Sequence, residues 1–237
     1  MTRRVRAGLL AGAVLALAAC SDPVSGSPAP ADGGGDASAA EDGGATATCD
    51  WVAARSGNPY ALDVPPPPAE VPAEGTAAVR VVTSLGELTL TLDQAGAPCA
   101  AASTLHLAAE GFFDGSACHR EVDSDGLQVL QCGDPTGTGA GGPTYAFPTD
   151  VDGSETYGRG TVAMANSGQG LDGSQFFLVW GDSRLPPDYT VVGTVDDAGL
   201  AVLDVVAANG NDGSLDPSPG GGAPTVPVTI TSMAPVG

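Results

Sequence analysis

Lysine is missing altogether from these 237 residues, and eight arginines stand against 28 aspartates and glutamates. The absence argues against a P-loop nucleotide site, whose phosphate cradle ends in Gly-Lys-Ser/Thr. The charge imbalance, a net −20 with neutral histidine, repels nucleic acid and anionic lipid head groups. Histidine occurs twice, as His106 and His119, and none of the five cysteines forms a CxxC pair. Metal-ligand spacing is therefore poor, and disulfides or buried thiols suit the cysteines better than zinc. The apolar run at residues 8–19 is too short to cross a bilayer comfortably as a helix.

Arg3, Arg4 and Arg6 precede that run, which ends in Leu17-Ala18-Ala19-Cys20. The arrangement resembles the lipobox of bacterial lipoprotein signal peptides, which are cleaved just before the cysteine. It implies that residues 1–19 are removed and that Cys20 is lipidated. The expected location is extracytoplasmic, tied to the bacterial cell membrane through the N-terminal lipid alone, because several acyl chains anchor stably where one does not. Removing the leader leaves five arginines against 28 acids. Export permits disulfides among Cys49, Cys99, Cys118 and Cys132, and four cysteines allow three connectivities.

Residues 20–48 are Ala, Gly, Ser, Pro and Asp with almost no large apolar side chain. They cannot bury enough surface to offset chain entropy and read as a disordered tether. Residues 49–76 hold Trp51, Tyr60 and Leu62 and then Pro65-Pro66-Pro67-Pro68, which favours polyproline II. They read as a partly ordered arm that packs on a folded domain spanning 77–237, with Cys49 available to tie it there. Period-two alternation over 79–83 and 87–92 predicts a hairpin turning at Ser84-Leu85-Gly86. Residues 98–110 are Ala-rich, opened by Pro98 and followed by Gly111, which is helix punctuation. Further strands are expected at 117–122, 127–132, 161–165, 175–180, 190–195 and 226–232, with a second helix at 197–208. Short strands between Gly-rich turns, with two helices, predict a mainly β, closed barrel with helical plugs.

Several ordered blocks then carry a resemblance. Gly111-Phe112-Phe113-Asp114-Gly115 followed by Cys118-His119-Arg120 resembles the FYDG…FHR segment of cyclophilins. The run Leu130 to Gly139, LQCGDPTGTG, resembles their QGGDPTGTG loop. Met164-Ala165-Asn166 and Gly173-Ser174-Gln175-Phe176-Phe177 resemble MAN…GSQFF, and Tyr189 to Gly193 resembles HxVFG. The similarity runs from about Val79 to Ser232. It implies a closed eight-stranded antiparallel barrel with two helices and peptidyl-prolyl cis-trans isomerase activity, with no metal or other cofactor.

The resemblance also implies roles. Arg120 matches the catalytic arginine, against a purely structural ion pair with Glu121, Asp123 or Asp125. Gln131 matches the glutamine that positions that arginine and bonds substrate backbone. Phe177 matches the floor of a proline pocket, with Val129 and Leu185 in its walls. Ala165 and Asn166 match a groove for extended substrate, and Gln175 a second polar groove residue. Gln128 replaces an aromatic at the pocket edge, and Tyr189 stands where many members carry histidine. Arg184 stands where a tryptophan contacts cyclosporin in other members, so cyclosporin binding is expected to be weak. His119 reads as a satisfied interior histidine, and the acidic loop at 121–125 as a solvated loop. The expected partners are proline-containing segments of exported proteins, and the expected state is a monomer. The alternative is a non-catalytic module that holds such segments. A hydrolase built on Cys118-His119 is disfavoured, because strand neighbours point to opposite faces.

Overall fold

Alternating apolar residues drive the first hairpin. β1 (Thr76–Thr83) and β2 (Gly86–Asp93) pair residue for residue from Thr76 opposite Asp93 to Thr83 opposite Gly86, around Ser84-Leu85. Val79, Val81, Leu88, Leu90 and Leu92 are buried on one face, while Arg80 and Glu87 form an ion pair on the other. The computed structural model describes residues 44–55 and 57–237. The proposed leader and Cys20 lie outside the described residues.

After β2 come α1 (Pro98–Ala109), β3 (Arg120–Ser124), β4 (Leu127–Cys132), β5 (Thr161–Asn166), β6 (Leu171–Val179), β7 (Val191–Val195), α2 (Asp197–Asn209) and β8 (Thr229–Pro235). These eight strands form one antiparallel sheet in the order β8-β1-β2-β7-β5-β6-β4-β3. The sheet curls, and Ser116–Ala117, on the approach to β3, pairs with Thr229 and Ile230 of β8. Cys118 N–H donates to Val228 O at 2.8 Å, and a bridge joins Glu121 to Gly222. No long ladder joins β3 directly to β8.

The helices follow their punctuation. α1 starts with Pro98 at its first turn, and Gly111 just beyond its end has φ +66°, a conformation glycine adopts without cost. α2 is capped by the Asp196 carboxylate, which accepts Gly199 N–H at 2.8 Å and satisfies a donor the helix cannot. α1 lies against β8, and α2 packs Val202 and Leu203 toward β2. Both helices cover the main apolar core, in which Leu90, Leu92, Leu107, Phe113 and Leu203 are buried. Among the described residues no helix is long and apolar enough to cross a membrane.

The order begins earlier than residue 77. Thr46–Thr48, read from composition as the end of the tether, pairs with Glu70–Pro72. Val52–Ala53 pairs with a short strand at Tyr145–Pro148, which pairs in turn with β6. Ala61–Leu62 runs parallel to Gly142–Pro143. Trp51 meets Tyr145 and Phe147 edge-on at 5.6 Å, and a Cys49–Cys99 disulfide ties the arm to α1. These anchors overcome a composition that would otherwise leave the segment loose. A second disulfide, Cys118–Cys132, joins the approach to β3 with the end of β4.

Candidate active site

The site stands on the outer face of the sheet and follows from the two-residue period of its strands. Along β6, Phe176 and Leu178 turn inward to the main core, whereas Phe177 and Val179 turn outward. Along β4, Leu130 and Cys132 go in and Val129 goes out. Arg120 is opposite Gln131 in register, and Val122 is opposite Val129. The outward residues form a second apolar cluster of Val122, Val129, Tyr157, Ala163, Phe177 and Val179, edged by Leu127, Ala165, Leu185 and Tyr189.

Above this cluster opens a cavity of about 730 Å³. Arg120, Gln131, Val129, Phe177, Leu185, Tyr189, Ala165 and Asn166 all line it, so the structure brings together eight of the ten expected site residues. Phe177 meets the Tyr189 ring edge-on at 5.5 Å. Tyr157 holds Tyr189 in place: its Oη donates to Tyr189 O at 2.9 Å and accepts from Tyr189 N at 3.0 Å.

Gln128 is one of the two exceptions to the expected set. It turns away from this cavity, donates to Asp123 Oδ1 at 3.2 Å, and lines a separate acidic cavity with Asp125, Asp182 and Arg184. Leu127 takes the pocket-edge position instead. The reason is the strand period: with Gln131 and Val129 outward, Leu127 must follow and Gln128 cannot. Trp180 is buried beside the main core and forms no part of the rim. His119 is half-buried against the cavity, and among the described residues its Nδ1 has no hydrogen-bond partner, so it is not the satisfied interior histidine expected. Burial holds its pKa below the usual value, which keeps the ring neutral. Cys118 is in a disulfide and offers no thiol.

A polar relay orients Arg120. Its Nη1 donates to Gln131 Oε1 at 3.2 Å, and Gln131 Nε2 donates to Gln175 Oε1 at 2.9 Å. Gln175 Nε2 donates in turn to Gly139 O and Gly141 O at 3.1 and 3.0 Å. Gln175 therefore supports the site from an adjoining cavity rather than lining the main one. The glycine-rich loop beneath it is organised by the buried Asp134 carboxylate, which accepts from Thr136 N, Gly139 N and Gly141 N. Burial opposes that charge, but the hydrogen bonds outweigh it and hold the Asp134 pKa below normal. The glycines thus wrap a carboxylate of the chain itself.

Two further acceptors were not legible in the sequence. Arg120 Nε donates to Gly220 O at 3.0 Å, and Nη2 donates to Pro219 O at 2.7 Å. They belong to a loop at residues 212–222, whose Ser214, Leu215 and Pro219 border the cavity. Gly221 has φ +75°, and a Cβ there would collide with Glu121 O. The Gly220-Gly221-Gly222 run was the available signal. Among the described residues no carboxylate pairs with Arg120: Asp125 pairs with Arg184, and Glu121 is buried. A guanidinium has five N–H donors. Three are bound to the protein, leaving one on each Nη.

Comparison with known proteins agrees with this geometry. The family model described as "Cyclophilin type peptidyl-prolyl cis-trans isomerase/CLD" matches residues 78–234. The chain belongs to the cyclophilin family. A probable peptidyl-prolyl cis-trans isomerase B of Mycobacterium tuberculosis is 44% identical to this cyclophilin over 72% of its chain and 56% of the relative. Its counterpart in Mycobacterium leprae is 43% identical over 71% and 60%. The chain thus spans little more than half the length of these mycobacterial relatives. A crystal structure of a Cryptosporidium parvum cyclophilin type isomerase superposes with a TM-score of 0.58 at 27% identity, covering 69% of this cyclophilin and 99% of that chain. A second structure of that protein was determined in the presence of the dipeptide Ala-Pro.

Proposed function

We propose that this cyclophilin is a peptidyl-prolyl cis-trans isomerase and that Arg120 is its catalytic residue. The observation that carries the reading is a permanently charged fork with two unbound N–H groups beside an apolar cavity lined by Phe177, Val129, Leu127 and Leu185. The barrier to X-Pro rotation, about 18–20 kcal/mol, is the loss of amide resonance. As the bond twists, the prolyl nitrogen regains its lone pair and becomes an acceptor it was not when planar. A donor aimed at that nitrogen binds the twisted form more strongly than either planar form, and such selective binding lowers a barrier. The apolar surface takes the proline ring, Gln131 and Asn166 offer polar groups to the flanking backbone, and no bond is made or broken.

The Ala-Pro dipeptide used with the Cryptosporidium protein supports proline-containing segments as the substrate class. The sequence supports exported proteins as clients, with Cys20 as a lipid anchor at the outer side of the cell membrane. The Cys49–Cys99 and Cys118–Cys132 disulfides support that location, because such bonds persist in oxidising compartments. The reading includes a monomeric state and weak cyclosporin binding.

One observation favours the alternative, a module that holds prolyl segments without turnover: three of the five Arg120 donors are already engaged. Exchange NMR on a short Ala-Pro peptide separates the two. Isomerisation that accelerates in proportion to added protein supports the enzyme. Peptide binding without acceleration supports the holding module.

A further inference from the structure

We propose that the N-terminal arm completes the substrate groove, and that its Arg55 selects an acidic side chain close to the proline. This rests on the prolyl-peptide reading of the site and adds a specificity to it. The described residues contain five arginines. Arg80, Arg159 and Arg184 pair with Glu87, Asp204 and Asp125, and Arg120 is bound to Gln131 and two loop carbonyls. Arg55, among the described residues, has neither an ion pair nor a hydrogen bond from its side chain. In a chain with 28 acids and no lysine, an uncommitted cation is rare, and its place matters.

Arg55 lines a second cavity of about 360 Å³. This cavity shares Gln131, Gly139, Ala165 and Asn166 with the proline cavity, so the two form one continuous surface. A peptide seated with its proline on Phe177 can therefore reach Arg55 with a neighbouring side chain. The second cavity has one other charged group, Asp172, and it is committed elsewhere. Asp172 is buried and accepts from Thr149 Oγ1 at 2.8 Å and Thr190 Oγ1 at 2.6 Å, while burial pushes its pKa up. The exposed charge of the second cavity is thus positive.

The arm is fixed well enough to act as a wall. Cys49 is bonded to Cys99, Ala54 N donates to Thr144 O at 2.9 Å, and Asn58 Nδ2 donates to Ala140 O at 2.8 Å. These bonds flank Arg55 on both sides and hold its backbone against the glycine-rich loop. The fitting ligand group is a carboxylate of Asp or Glu in the extended substrate, for which a guanidinium fork is the natural receptor.

The test uses peptides with one Ala-Pro and a single Glu moved through the three positions on each side, with a matching Gln series. Isomerisation by exchange NMR and peptide affinity by titration are measured for wild type, Arg55→Gln and Arg55→Glu, with all disulfides intact. Wild type should favour Glu over Gln at one position by about threefold at low salt, the size expected of an exposed ion pair. The preference should shrink toward one at high salt, where exposed charges are screened. Arg55→Gln should abolish it and Arg55→Glu should reverse it. A Glu/Gln ratio at or below one at every position in wild type overturns the proposal, as does the same ratio in Arg55→Glu. The Gln series reports separately on isomerase activity, and if turnover is absent the affinity ratio decides the charge preference by itself.

Discussion

Glu121 is the residue whose removal should help the protein. It follows Arg120 on β3, lies opposite Leu130 in register, and is fully buried. Among the described residues neither carboxylate oxygen has a hydrogen-bond partner. Burial, with the nearby Asp123 adding to it, raises its pKa from 4.5 to about 7. The folded state therefore prefers the protonated acid. The cost is absent below the unfolded pKa, grows as pH rises from about 4.5, and levels off above about 7. At 1.36 kcal/mol per tenfold change the full cost is about 3 kcal/mol. Glu121→Leu should remove it, since an apolar side chain often replaces a buried charge at no loss. Urea unfolding with both disulfides intact should show the variant about 3 kcal/mol more stable than wild type at pH 8, with little difference at pH 4. Comparing variant with wild type cancels Asp172, which is also raised, and Asp134, which is lowered. A stability difference that does not change between pH 4 and 8, at an unchanged denaturant slope, would refute the reasoning.

Three more outcomes are expected. Serine at both Cys49 and Cys99 opens a link across 50 residues, so thermal or urea unfolding should show a loss of up to about 4 kcal/mol on loop-entropy grounds, with the arm cleaved first in limited proteolysis. Arg184→Trp should recover part of the affinity for cyclosporin, which wild type should bind at least tenfold more weakly than a family member bearing tryptophan there, since tryptophan is a frequent hot spot; equal potency in a side-by-side titration would refute this. Cys20→Ala should release the protein from membranes or leave its leader uncleaved, and a variant of mature size that still partitions into detergent would place the anchor elsewhere.

The eight strands and two helices were legible because each depends on a local rule. Alternation in 79–92 specified the hairpin, and Pro98 with Gly111 bounded α1 to within a residue. Strand ends were less legible: β8 runs Thr229–Pro235 rather than 226–232, and the stretch expected at 117–122 divides into Ser116–Ala117 and Arg120–Ser124. The division falls where the chain leaves β8 for β4 as its partner, a tertiary event with no local signature. Within the site, Phe177 and Val129 were visible from motif and period together. Gln128 was misplaced because motif alignment was followed where the period said otherwise. The carbonyls of Pro219 and Gly220 were invisible, because any residue supplies a carbonyl and only the fold brings these two to Arg120. The arm was expected to be partly ordered and packed on the domain, but its strand partners were hidden, since they are distant in sequence.

The rate of prolyl isomerisation in Arg120 variants with unchanged circular dichroism tests the catalytic role of Arg120 most directly. Arg120→Ala should lose at least an order of magnitude in kcat/KM, which corresponds to about 1.4 kcal/mol of transition-state stabilisation. Arg120→Lys should recover little of it, because an ammonium has three donors, and holding Gln131, Pro219 and Gly220 would leave none for the prolyl nitrogen. Turnover near the wild-type rate in Arg120→Ala, with the fold intact, would contradict the catalytic assignment.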